Sequence, residues 1–144
     1  MTTAAQILKS KPDKTVYTTT PAASVFDAVK LMADKNIGAV LVMEGDTLHG
    51  ILSERDYARK GILQGHASKD TPVRQLMTAR VFSVPPSWTA HQCMALMTEK
   101  RIRHLPVIDN GRLVGVISIG DVVRAVVEDQ QFTINALNSY IATA

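Results

Sequence analysis

The chain has 144 residues, 46% hydrophobic and 20% charged, a balance too apolar for a disordered segment and ordinary for a folded one. Its longest apolar runs, such as residues 38–43, fall well short of the roughly 20 residues that cross a bilayer, and a single cysteine excludes an internal disulfide framework or a multi-cysteine zinc site. Sixteen Lys and Arg against thirteen Asp and Glu leave a net charge of +3, scattered except at residues 55–60 and 100–104; with aromatics at 5% this is not the basic, aromatic-laced stripe of a nucleic-acid binder.

Residues 1–12 carry no long apolar core and read as neither a signal peptide nor a membrane anchor, so the cytosol is the expected compartment. Ile7 and Leu8 predict a short leading helix. A β run follows at Val16, Tyr17, Thr18 and Thr19. Val25, Ala28, Val29 and Met32 then recur at i, i+3, i+4 and i+7, the spacing of one helix face. Ser24-x-x-Asp27, close to a capping box, opens that helix. Two strands, residues 38–43 and 47–52, come next, with a further helix beginning at Ser53. Residues 61–70 hold two glycines, a serine and a histidine and read as a connecting loop. Val73, Leu76 and Met77 predict a second leading helix, opened by Thr71-Pro72.

From Val81 the same order returns. Shifted by 65 residues without a gap, the chain places Val16 on Val81, Pro21 on Pro86, Lys35 on Lys100, Ile37 on Ile102, Gly50 on Gly115, Ser53 on Ser118 and Asp56 on Asp121. The second long helix opens at Thr89-x-x-Gln92 and turns Ala90, Cys93, Met94 and Met97 to one side. Cys93 takes the slot of Ala28, which makes it a buried structural thiol. Strands at residues 104–108 and 112–117 are joined by Asn110-Gly111, a strong two-residue hairpin signal. The chain is thus a tandem β-α-β-β-α repeat of the α/β (α+β) class. Each copy is too small to bury its own core well. Beyond Asp121 the helical pattern continues through Val122, Val123, Val126 and Val127 to Ile134, Leu137 and Ile141. A chain of this size has little core left to cover such a long C-terminal helix, so the tail is expected to pack on another subunit or partner. The expected division is residues 1–64 and 65–130, each a repeat with its leading helix, and a helical extension at 131–144.

The string Gly-x-x-Ser-x-x-Asp occurs twice, ending at Asp56 and at Asp121. Two readings of it stand side by side. Ser-x-x-Asp is close to a capping box and needs no further purpose. Alternatively, free helix N–H groups and the Ser hydroxyl hold a phosphate, while the Asp accepts both hydroxyls of a ribose diol. The four histidines, His49, His66, His91 and His104, have no metal-ligand spacing. Neither a Gly-x-Ser-x-Gly nucleophile elbow nor a P-loop is present, and no catalytic constellation assembles.

Together with the segment Ile102-Arg103-His104-Leu105-Pro106-Val107-Ile108-Asp109, the doubled string and the β-α-β-β-α order closely resemble the CBS domain. Two copies resemble a CBS pair, or Bateman module, over residues 5 to 130, most of all the small stand-alone pairs of bacteria and plant organelles. The resemblance implies one domain in which the repeats pack by pseudo-two-fold symmetry, and a homodimer of pairs forming a flat disk. It implies a non-catalytic signal-transduction role in which AMP, ADP, ATP, NAD or S-adenosylmethionine binds in two clefts. Carried onto this sequence, one cleft takes Tyr17, Ile37, Gly38 and Ala39 with Ser118 and Asp121. The other takes Phe82, Ile102, Arg103 and His104 with Ser53, Arg55 and Asp56.

The copies differ where Gly38-Ala39 faces Arg103-His104. Arg103 can offer a planar fork to phosphate oxygens, and His104 a donor whose charge responds near neutral pH. Unequal clefts are therefore expected, although a satisfied strand-end histidine would look the same. The alternative function is a dimeric interaction module with vestigial clefts that acts on an unknown protein target through its C-terminal helix. Neither nucleic acid nor a membrane is expected as a partner.

Overall fold

The structure is a computed structural model that describes residues 1–143. In chain order its elements are α1 (Ala4–Ser10), β1 (Thr18–Thr19), α2 (Val25–Lys35), β2 (Ala39–Glu44), β3 (Thr47–Ser53) and α3 (Glu54–Asp56). A π-helical turn (Tyr57–Ile62) continues α3, followed by α4 (Val73–Leu76), α5 (Ala90–Lys100), β4 (His104–Asp109), β5 (Arg112–Ser118) and α6 (Ile119–Thr143). The fold is mixed α+β, with one small sheet in each of two compact units.

The first unit is residues 16–81. Its sheet runs β1-β2-β3, with β1 parallel and β3 antiparallel to the central strand. Ser24 caps α2 by accepting the Asp27 N–H, and Asn36 ends it in the left-handed conformation at φ +53°. The apolar face of α2 buries Val25, Ala28 and Met32 against Val40, Val42 and Leu52 of the sheet and Val73 and Leu76 of α4. Each of these Val, Leu and Met side chains taken out of water is worth about 1.5–3 kcal/mol.

The second unit joins residues 1–15 to residues 82–144. Its strands β4 and β5 form an antiparallel pair, covered by α1, α5 and α6. The core is Ala4 and Ile7 of α1, Cys93 and Met97 of α5, Leu105, Val107 and Ile117 of the sheet, and Val122 and Val126 of α6. Thr3 and Gln6 close a full capping box on α1, and Thr89 and Gln92 close one on α5. Arg101, the counterpart of Asn36, ends α5 at φ +56°. The hairpin turn at Asn110-Gly111 has both residues at positive φ, as a type I′ turn requires. Both hairpins carry a bulge at the same place, with His49 and Val114 skipped in the pairing.

Three expectations are changed. The first concerns the leading helices: α1 closes the unit of the second repeat, and α4, downstream of the first hairpin, closes the unit of the first. The compact units therefore divide at 15/16 and 81/82, whereas the expected division of the repeats was at 64/65. The reason is a close approach over each repeated glycine, since a Cβ at Gly115 would lie 2.6 Å from Leu8 Cδ2 and one at Gly50 2.8 Å from the Thr78 carbonyl oxygen. The second concerns the opening strands. Only Thr18 and Thr19 are strand in the first repeat, and the second keeps a single bridge between Val84 and Val107. Leu41 donates its N–H to the Tyr17 carbonyl, whereas its counterpart Pro106 has no N–H to donate. The third is the end of the first repeat, where α3 is a single turn and the π-helical segment runs to Ile62, so the connecting loop starts at Leu63. Gly61 lies inside that segment, close against the Tyr57 ring and Leu76 Cδ1.

Candidate functional site

Each unit builds a junction where a strand start, a strand end and the first turn of a helix meet. In residues 16–81, Ala39 pairs with Ser53 across the hairpin and the Gly38 carbonyl accepts the Glu54 N–H at 3.0 Å. Ile37 and Tyr17 pack on the edge of the core beneath. Arg55 lies in α3 between Glu54 and Asp56. In the second unit His104 pairs with Ser118, the Arg103 carbonyl accepts the Ile119 N–H at 2.8 Å, and Ile102 and Phe82 pack beneath. Each strand start thus lies beside the Ser and Asp of its own repeat.

The capping reading of Ser-x-x-Asp is realised at both junctions. Ser53 Oγ accepts the Asp56 N–H at 3.1 Å, and Asp56 Oδ2 accepts the Ser53 N–H at 3.0 Å. Ser118 and Asp121 make the same reciprocal pair, at 3.2 and 2.9 Å. Both carboxylates also hold a lysine. Asp56 Oδ1 takes Lys60 Nζ at 3.2 Å and the Thr78 hydroxyl at 3.1 Å. Asp121 Oδ2 takes Lys11 Nζ at 3.1 Å, and Lys11 donates in addition to the Val116 carbonyl. Lys11, Lys60 and Thr78 are absent from the residues expected from the sequence. Lys60 was within reach of a sequence argument, four residues beyond Asp56 on a helical turn. Lys11 was not, because only the closure of α1 on the second repeat carries it to Asp121.

The electrostatics of the second junction follow from this crowding. Burial pushes the Asp121 carboxyl up, but the Ser118 N–H, the hydrogen bond and charge of Lys11 and the Ser118 hydroxyl outweigh it and hold the group below 3.8. Asp121 is therefore ionised at neutral pH. Burial pushes His104 down from 6.5, Lys11 and Arg103 act in the same direction, and Asp121 opposes them. The charge of His104 therefore responds at lower pH than that of an ordinary histidine.

Tyr17 and Phe82 share a further feature. Lys35 Nζ stands 5.5 Å from the Tyr17 ring centroid and Lys100 Nζ 5.2 Å from that of Phe82, a cation–π pair repeated in both units. Cys93 is fully buried on α5, where burial raises its thiol to about 11. No group of three or more His, Cys, Asp and Glu among the described residues is arranged to hold a metal ion. No helix among them is long and apolar enough to cross a membrane.

The family model of the CBS domain matches residues 4–61 and 73–128. The chain belongs to the CBS-domain family. This CBS pair is 43% identical to the mitochondrial CBS domain-containing protein CBSX3 of Arabidopsis thaliana, over 97% of this chain and 72% of the relative. Its structure is similar to that of a protein with CBS domains from Burkholderia ambifaria, with TM-score 0.86 and 60% identity over 92% of this chain and 99% of that one. It is also similar to the crystal structure of CBSX2 in complex with AMP, with TM-score 0.72 and 29% identity over 90% and 99% of the two chains.

Proposed function

We propose that this CBS pair is a non-catalytic regulatory module that senses adenosine nucleotides, of the class AMP, ADP, ATP or NAD, at its two Ser–Asp junctions. The observation that carries the reading is the mostly buried carboxylate that each unit sets beside a Ser hydroxyl and a lysine ammonium. A carboxylate accepts the two hydroxyls of a ribose, and the ammonium and hydroxyl beside it favour a phosphate. The AMP bound by the similar CBSX2 supports the same ligand class.

The two junctions are unequal in this reading. Lys11 and Arg124 pair with Asp121, and His104 with Arg103 next to it lies close by, whereas Gly38 and Ala39 leave Asp56 with Lys60 and Thr78. The second junction therefore favours the more anionic ligand. A ribose reaching Asp121 competes with the Lys11 ammonium and the Ser118 N–H, so occupancy is linked to the cap of α6. Such a ligand shifts the protein only by the difference in its affinity for the two arrangements. In this reading the chain works in the cytosol, whereas the plant relative is named mitochondrial; sensing requires neither compartment.

Calorimetry with AMP, ADP, ATP, NAD and NADP tests the proposal. Saturable binding of at least one nucleotide is expected, with NADP weaker than NAD because its 2′-phosphate meets Asp121 or Asp56. Asp121→Ala should remove one binding event and Asp56→Ala the other. Should no adenosine ligand bind or shift the melting temperature, the interaction-module alternative replaces this one.

A further inference from the structure

The two Ser–Asp junctions are equally shielded, with the side chains of Asp56 and Asp121 13% and 12% exposed, so burial does not set them apart. Their loads of donors do. A carboxylate offers about four acceptor sites, shared between its two oxygens. At Asp56 both oxygens are doubly occupied: Oδ2 accepts the Ser53 N–H at 3.0 Å and the Ser53 hydroxyl at 3.1 Å, and Oδ1 accepts the Thr78 hydroxyl at 3.1 Å and the Lys60 ammonium at 3.2 Å. At Asp121 Oδ2 likewise holds two, the Ser118 N–H and Lys11 Nζ. Its Oδ1, among the described residues, meets only the guanidinium of exposed Arg124, at 3.7 Å and so beyond hydrogen-bond reach.

The difference comes from the segments that close the two units. Shifted by 65 residues, Lys60 falls on Ala125, which is buried in α6, and Thr78 falls on Asp13, whose carboxylate brings no hydroxyl donor. Lys60 and Thr78 tie Asp56 to the end of α4. Lys60, in the π-helical turn, also donates to the Leu76 carbonyl at 3.3 Å, and the Thr78 backbone exchanges both its hydrogen bonds with Ile51 of β3. A ribose diol spanning both oxygens of Asp121 has hydrogen-bond donors to displace on one of them alone. At Asp56 it has them on both, and those on Oδ1 are the two side chains that hold the end of α4 to the carboxylate. Resting on the nucleotide reading of these junctions, we propose that Asp56 is a latched site: ligand fills Asp121 first, and filling Asp56 releases Thr78 and Lys60 and loosens the end of α4 on β3. Coupling of this kind is reciprocal, so a seated α4 weakens binding at Asp56 by the factor by which bound ligand loosens α4.

Calorimetry and amide hydrogen exchange with AMP test the latch. The wild type shows two unequal binding events, and Asp56→Ala removes the weaker. Thr78→Val, which keeps the backbone bridge to Ile51, tightens that weaker event by about 10-fold, within the range of such couplings. Thr78→Ser, which keeps the hydroxyl, leaves it as in the wild type. In the wild type the Met77 and Thr78 amides, which donate to the Val73 and Ile51 carbonyls, exchange about 10-fold faster once both events are filled, and not when the first alone is. The exchange arm uses the wild type alone and stands even where Thr78→Val is unstable. An Asp56 event as tight as the other or tighter, an unchanged affinity in Thr78→Val, or unaltered or slower exchange at Met77 and Thr78 overturns the latch and leaves the nucleotide reading standing. No AMP binding by any of the four proteins overturns both.

Discussion

Replacing Gly50 with alanine tests the packing that explains the repeated glycine. On an open strand Gly→Ala stabilises by about 0.4–1 kcal/mol, because alanine has less unfolded-state freedom to lose. At Gly50 the new methyl would lie 2.8 Å from the Thr78 carbonyl oxygen and 2.8 Å from Met77 Sδ. The thioether can swing away, but the carbonyl is held by its bridge to β3, where Ile51 N–H donates to Thr78 O at 3.0 Å and Thr78 N–H returns to Ile51 O at 2.8 Å. Relief therefore means breaking that bridge or tilting α4, and such overpacking costs about 1–3 kcal/mol. A loss of about 2 kcal/mol is expected, a fall in melting temperature of about 6 °C for a chain of this size. Gly115→Ala meets only the end of the Leu8 side chain, at 2.6 and 2.9 Å. Its cost should be smaller and should largely vanish in a Leu8→Ala background. Urea unfolding of the wild type, the two glycine variants, Leu8→Ala and Leu8→Ala/Gly115→Ala, read with an unchanged m-value, measures both effects. A Gly50→Ala chain as stable as wild type would refute the reasoning, and so would the reverse order of the two sites.

Lys11→Met removes the ammonium from Asp121 and should cost on the order of 1–2 kcal/mol at neutral pH. The carboxyl is held low in the folded state, so its stabilising contribution is present above its unfolded value and lost as pH falls through its folded one. In Lys11→Met that loss begins at higher pH, which an acid-unfolding series and a carboxyl NMR titration of Asp121 will show; an unmoved titration contradicts the bridge. His104, held below 6.5, should lose stability for the protein as pH falls below that value, because the unfolded imidazole takes up a proton that the folded one resists. Its ring signals should therefore titrate below 6.5, and a midpoint above it would count against the packing of Lys11 and Arg103 around it. Cys93, raised to about 11 by burial, should stay unmodified by a thiol reagent at pH 8 until the chain is unfolded. Prompt labelling of the native protein would show that α5 is not seated as described.

Much of the fold was readable in the residues because local rules and packing agreed. The faces of α2 and α5, their Ser and Thr caps, the Asn110-Gly111 turn and the slot of Cys93 all follow from short-range pattern. What was not readable depends on distant partners. Ile7 and Leu8 predict a helix but not the sheet it lies on, and the choice is made by the shape of Gly115 some hundred residues later in the chain. Pro106 was visible, yet its effect on the strand at Val84 appears only once the parallel neighbour is known. At the site, Ser53, Asp56, Ser118 and Asp121 were found by repetition, and the structure adds that each pair caps its own helix. Lys11 escaped because a bridge spanning the whole first repeat leaves no local spacing to recognise. The behaviour of His104 escaped for the same reason, since its surroundings come from three separate segments.

The closure of α1 on the second repeat also sets an order of assembly. Residues 16–81 are a compact unit interposed in the chain between the two segments of the other, and are complete before the second of those segments is made. Residues 1–15 are made before the insert but must wait, since the Thr2–Asp129 hydrogen bonds and the Lys11–Asp121 bridge tie them to residues made after it. Until then the apolar face of α1, with Ile7 and Leu8, is without its sheet. An already folded insert shortens the effective loop that must close, which makes the late docking step faster than chain length alone implies. The segment made before the insert is thus seated after it. A nascent chain stalled before β5 should carry a protected insert and a protease-sensitive N-terminus.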